Sequence, residues 1–180
     1  MPVGHSYGDA VITDAATGNT NVKALVNDDA YIPAAGEKIT TLSTSVSALA
    51  PAAVNPTSVF KLVPYTGAPA GVVDTYLLPY VFFTDFGPDI AHDEAAILEA
   101  EQSSTSLVVL AEPSSTLAWL TIPSWDIIGT QDKIIPEASQ LSMANRAKAH
   151  VTLVNSSHLS LISHPDLVTS VIESAARATS

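Results

Sequence analysis

Hydrophobic positions change their period along the chain. Residues 1–4 read as the last residues of a strand, and residues 7–17 (YGDAVITDAAT) as a helix stopped by Gly18-Asn19. Residues 22–26 (VKALV) are a continuous apolar run of strand length, which Asn27-Asp28-Asp29 breaks. Order returns near Trp119. Residues 124–130 (SWDIIGT) read as a buried strand, followed by the loop Gln131-Asp132-Lys133. Pro136 suits a first helical position, and 137–149 continue as a helix. Residues 150–155 (HVTLVN) alternate as a strand does, and Ser156-Ser157-His158 form a loop. Pro165 opens a last helix, with Leu167, Val168, Val171, Ile172, Ala175 and Ala176 on one apolar face.

Between these ends the texture is irregular. Pro33, Pro51, Pro56, Pro64, Pro69, Pro79, Pro88 and Pro113 interrupt the chain, leaving short helical stretches at 37–48 and 92–102. No repeat period stands out. The pattern predicts an inserted helical lobe or lid over about 33–117, within a single domain spanning 1–180. Strands alternating with helices at both ends imply an α/β fold whose parallel sheet is covered on both faces.

Composition narrows the partners. Of 180 residues 47% are hydrophobic and 14% charged, which supplies a core and argues against global disorder. The net charge is −11, with seven Lys and Arg in all. Nucleic acid and anionic membranes both require clustered cations, so neither is expected as a partner. There is no cysteine, which excludes disulfides and thiolate metal sites. No apolar stretch nears the ~20 residues of a membrane span. No basic segment followed by an apolar one marks a signal peptide, so the cytoplasm is the default location.

The chemistry begins at Gly4-His5-Ser6-Tyr7-Gly8, a G-x-S-x-G pentapeptide. A serine hydroxyl needs a base to take its proton, and the base needs a third group to hold its tautomer. Glycines on either side permit a sharp strand-to-helix corner that exposes the serine, and Tyr7 N–H lies where an oxyanion would develop. Alone, the pentapeptide equally describes a glycine-rich turn. Asp132 follows one predicted strand and His158 follows the next, giving the order Ser, Asp, His on loops at strand ends.

These stretches (VGHSYGDAVIT, NVKALV, IPSWDIIGTQDKIIPEASQLSMANRAKA and VNSSHLSLISHPDLV) resemble the C-terminal part of an α/β-hydrolase-fold serine hydrolase. The likeness runs from Val3 to the final helix, toward the branch of small esterases that includes plant methylesterases and hydroxynitrile lyases. It implies Ser6 as nucleophile, Asp132 as orienting acid, His158 as base and Tyr7 as an oxyanion-hole donor. It implies a small-molecule ester substrate, no cofactor and no metal. The fold implied is half of the family's parallel sheet, here the four predicted strands, with flanking helices and the lid.

Such hydrolases have further strands before the elbow and an H-G-type loop giving a second oxyanion N–H. Neither precedes Ser6 here, so the chain reads as one lacking its N-terminal strands, with self-association through the open sheet edge as a way of pairing it. Asp9 stands where a small residue is usual and would oppose a developing negative charge. The alternatives are an inactive hydrolase remnant that binds or builds rather than catalyses, and a hydroxynitrile-lyase-like enzyme using the same residues.

Other polar residues have plainer readings. His5 reads as a packing and hydrogen-bonding neighbour of the nucleophile. His92, His150 and His164 read as surface or capping residues. Asp126 reads as a buried, hydrogen-bonded carboxylate inside a strand, and Asp28-Asp29 as a solvated turn rather than a hard-cation site. Phe82, Phe83 and Trp119 read as core before acyl pocket.

Overall fold

The computed structural model describes residues 1–180. One sheet contains β1 (Val3–His5), β2 (Leu25–Asp28), β5 (Ser124–Gly129) and β6 (His150–Val154), in that spatial order and all parallel. A separate antiparallel pair is formed by β3 (Phe60–Val63) and β4 (Asp74–Leu77). The helices are α1 (Tyr7–Ala16), α2 (Ile39–Leu42), α3 (Pro79–Val81), α4 (His92–Ala100), α5 (Glu137–Ala147), α6 (Ser160–Ser163) and α7 (Pro165–Ala178). None is long and apolar enough to cross a membrane.

Every residue of β5 is buried, as a central parallel strand covered on both faces requires. Val26, Trp125, Ile127 and Val154 pack against Val168, Val171 and Ala175 of α7. Leu25 packs on the opposite side with Ala16 of α1 and Met143 and Ala147 of α5. The four-strand parallel sheet with helices on both faces matches the predicted partial sheet of the α/β-hydrolase fold. The apolar face of α7 lies where its spacing puts it, except that Ala176 is exposed.

Two elements shift. The second strand is 25–28 rather than 22–26, with Asn27 and Asp28 inside it and buried. Pairing decides this: β5 lies alongside it from Leu25 to Asp28 and β1 from Val26 to Asp28, and neither reaches residues 22–24. Pro136 is extended (ψ 140) and caps α5 instead of opening it, and left-handed Lys148 (φ 55) ends that helix.

The segment between β2 and β5 is less helical than its sequence predicts. Of 37–48 only α2 forms. Its Thr and Ser side chains bond to nearby backbone instead, Thr41 Oγ1 to Lys38 O (2.8 Å) and Ser43 Oγ to Ile39 O (3.1 Å). The second predicted helix appears as α4. The β3–β4 hairpin has no counterpart among the predicted elements. Its strands are four residues each, too short for a period to declare itself.

Candidate active site

Ser6 makes the whole turn from β1 to α1. Its backbone has φ 54 and ψ −122, a conformation few side chains adopt. A Cβ on Gly4 would stand 2.6 Å from Asp9 Cα, so glycine there lets α1 fold back directly onto β1. Gly8 faces open space, so only the first glycine of the pentapeptide serves close approach.

Ser6 Oγ is 2.9 Å from His158 Nε2, and His158 Nδ1 is 2.8 Å from Asp132 Oδ2. The three sequence-predicted residues are thus brought into one hydrogen-bonded row. Asp132 accepts at Oδ1 from Ile134 N–H (2.7 Å) and Ile135 N–H (3.0 Å), and at Oδ2 from Gln140 Nε2 (2.8 Å). With that carboxylate fixed, Nδ1 of His158 carries the proton and Nε2 is left to accept from Ser6. Tyr7 N–H is in the first turn of α1, among those with no partner inside the helix.

Electrostatics follow from burial. His158 is fully buried, which pulls its pKa down; the Asp132 carboxylate and its hydrogen bond, with Asp29 and Asp28 behind, outweigh this and leave it raised. Burial lowers His5 to about 4, so its ring is neutral and its Nε2–H donates to His158 O at 2.7 Å. His5, expected to pack beside Ser6, therefore supports the loop that carries His158.

Several expectations are corrected. Asp9 is not an exposed carboxylate beside Ser6: it is 1% exposed, and burial pushes its carboxyl well above the usual range, which disfavours a charge there. Asp126 is buried, yet neither of its oxygens has a hydrogen-bond partner. Burial, with Asp9, Asp29 and Asp28 nearby, pushes its carboxyl up too. Asp28 and Asp29 are not a solvated turn; both are buried against the loops that carry Asp132 and His158. Their charge suggested solvent, and only the tertiary fold reveals otherwise. Gln140 and Asp89 also escaped sequence reading. Asp89 accepts from Ser157 N–H and Ser156 Oγ, both 3.1 Å, and bracing of this kind leaves no local motif.

The remaining aromatic and histidine positions lie outside this row. His92 is exposed and stacks on Phe83, His150 is exposed beside Trp125, and His164 precedes α7 and contacts Ser163 Oγ. Trp119 is core, its Nε1–H donated to Pro33 O at 3.0 Å. No three His, Asp or Glu side chains gather as metal ligands.

Ser6 opens into a cavity of about 700 Å³ whose lining includes Tyr7, Tyr31, Leu49, Phe60, Leu77, Phe82, Phe86 and Leu110. No Asp, Glu, Lys or Arg lines it.

A family model described as "Alpha/beta hydrolase family" matches residues 2–171. An alpha/beta hydrolase, nvfD, from Aspergillus novofumigatus is 28% identical over 185 aligned positions, covering 97% of this chain and 68% of that protein. Tomato methylketone synthase I, solved with 2-tridecanone, superposes with a TM-score of 0.75 at 17% identity over 99% of this chain and 70% of its own. A pyrethroid hydrolase from Sphingobium faniae superposes with a TM-score of 0.68 at 21% identity, over 96% of this chain and 69% of its own. The family match covers nearly all of a chain whose sheet and strand-to-helix corner have the corresponding form, and the chain belongs to the α/β hydrolase family.

Proposed function

We propose that the protein is a serine hydrolase of carboxylic esters, with Ser6 as nucleophile, His158 as base and Asp132 as the group that orients it. The observation that carries this reading is the unbroken row Ser6–His158–Asp132, with distances of 2.9 and 2.8 Å, at the base of an uncharged cavity. Ser6 Oγ attacks the ester carbonyl carbon while its proton passes to His158 Nε2. The carbonyl oxygen becomes an oxyanion and takes the N–H of Tyr7. His158 returns the proton to the departing alkoxide, leaving Ser6 acylated. Water, deprotonated by the same nitrogen, then releases the acid.

The cavity narrows the substrate. Its volume suits a drug-sized organic molecule, and a lining of aromatic, aliphatic and hydroxyl side chains favours an uncharged ester with a substantial apolar group. A free carboxylate or ammonium on the substrate would be desolvated there with no opposite charge. Residues 33–117 supply most of the lining and act as the cap over Ser6. The fold neighbours include a protein named for hydrolysing pyrethroids and one solved with a long-chain ketone, which agrees with apolar occupancy.

A fluorophosphonate probe tests the assignment. Labelling of the wild type that disappears in Ser6→Ala, together with turnover of neutral p-nitrophenyl esters, is expected. A folded wild type that neither labels nor hydrolyses such esters overturns it.

A further inference from the structure

The three loops carrying Ser6, Asp132 and His158 converge on the same two residues. Ser6 N–H donates to Asp28 O at 3.2 Å. Gly129 N–H, at the end of β5 just before the Asp132 loop, donates to Asp29 Oδ1 at 2.6 Å. Ser160 N–H, two residues beyond His158, donates to Asp29 Oδ2 at 3.1 Å, and Ser160 Oγ donates to Asp28 Oδ1 at 2.6 Å. One carboxylate therefore bridges the loop of the acid to the loop of the base. Packing leaves it no slack: a Cβ on Gly129 would lie 2.9 Å from Asp29 Oδ1 and 2.6 Å from Ser157 O. Asp29 makes this reach from a left-handed backbone (φ 45), which Asp and Asn tolerate better than most residues.

We propose that Asp28 and Asp29 form a positioning element for the reaction, Asp29 clamping the Asp132 and His158 loops together and its charge supporting the imidazolium that His158 becomes. The inference rests on the serine-hydrolase reading above. Neither aspartate lines the cavity, so the pair acts through His158 and not on the substrate. The ionisable groups that His158 feels are Asp132, Asp29, Asp28 and His5. Asp29 feels His158, Asp28 and Asp132, and lies close enough to perturb Asp126. Burial, against the pull of His158 and with Asp28 and Asp132 adding to it, raises Asp29 to about 7. Its charge is therefore gained near neutrality, where a histidine base works.

The pair supplies something Asp132 does not. Asp132 Oδ2 holds one ring proton, but two loops from different strands must also keep a fixed spacing for that bond to persist. Where such a carboxylate is removed, orientation and electrostatic support are lost together.

The test uses Asp29→Asn and Asp28→Asn in the full chain. Asp29→Asn keeps the backbone preference but turns one acceptor into a donor facing an N–H. Asp28→Asn keeps the oxygen that accepts from Ser160 and removes only charge. The expected result is a kcat lower by about tenfold or more in Asp29→Asn with KM within about twofold, a split that marks loss of transition-state support. In both variants the His158 imidazole, followed by NMR, should titrate at lower pH than in the wild type. A folded Asp29→Asn with wild-type kcat and an unmoved His158 titration overturns the proposal. If Asp29→Asn does not fold, an unmoved titration in Asp28→Asn overturns it. The NMR reading needs no turnover, so an unreactive wild type counts against the serine-hydrolase reading, and the titration still decides the aspartates.

Discussion

Ser6 Oγ and His158 Nε2 lie 2.9 Å apart although 152 positions separate them in sequence. The hydrogen bond exists because β1 and β6 are held at fixed spacing by the two strands between them, β2 and β5. It has a directional requirement: Nδ1 must keep its proton for Nε2 to accept. Asp132→Asn, which can offer Nδ1 an amide donor, is expected to lower kcat by about 10³–10⁴. It should lower the melting temperature as well, since that amide would also face the buried Gln140 Nε2–H. Ester turnover and a melting curve check it; activity within tenfold of wild type counts against Asp132 as the orienting group.

The pH profile has a predictable sign. On the proposed reading His158 works as the neutral imidazole, and the surrounding carboxylates outweigh burial to raise its pKa. Activity should therefore be lost on acidification at a higher pH than the value near 6.5 of an ordinary histidine. The acid limb of kcat/KM measures this directly, and a limb at or below 6.5 contradicts it.

Asp126 is expected to lower stability at neutral pH. Its oxygens are buried without partners, and burial raises its pKa far above the unfolded value near 3.9. A raised carboxyl pKa stabilises fully below that unfolded value. The contribution is lost as pH rises toward the folded value, at about 1.4 kcal/mol per pH unit. Asp126→Asn carries no proton to lose. It should therefore be more stable than wild type at pH 8, with the gap closing toward pH 4. Denaturant melts at the two pH values test it; equal stability at pH 8 refutes it.

Two glycines of the pentapeptide should respond differently. Gly4→Ala forces a Cβ to within 2.6 Å of Asp9 Cα and 2.7 Å of Asp9 N, both backbone atoms. The expected loss is about 1–3 kcal/mol. Gly8→Ala meets nothing within 4 Å and should be near neutral. Chemical denaturation of the pair is the check.

Chain-length selectivity probes the cap. Ala52 lines the cavity. Ala52→Phe should lower kcat/KM for octanoyl and decanoyl p-nitrophenyl esters about tenfold while leaving the acetyl ester within about twofold, since bulk excludes a long chain and spares a short one. A uniform loss across chain lengths would place the apolar group of the substrate elsewhere.

How much of this was legible in the sequence depends on how local the cause is. Ser6, Asp132 and His158 sit in loops flanked by clear strand patterns, so type and position alone selected them. The face of α7 was legible for the same reason, since spacing and burial coincide at Val168, Val171 and Ala175. Asp28 and Asp29 are not legible as buried because charge suggests solvent, whereas their partners Gly129 and Ser160 lie a hundred or more residues away. The 37–48 segment is less helical than expected because Thr41 and Ser43 bond nearby backbone instead. The β3–β4 hairpin was missed because its pairing is a property of two short segments together.

The strand order also has a consequence for synthesis. β1 and β2 leave the ribosome together, but β5, which β2 must pair with, follows after roughly a hundred residues, or about 5–20 s at ordinary translation speed. Through that interval Ser6 exists without His158 beside it, and β2 has one edge open. Any reactivity of Ser6 that depends on His158 is thus withheld until β6 has docked and the loop after it has closed.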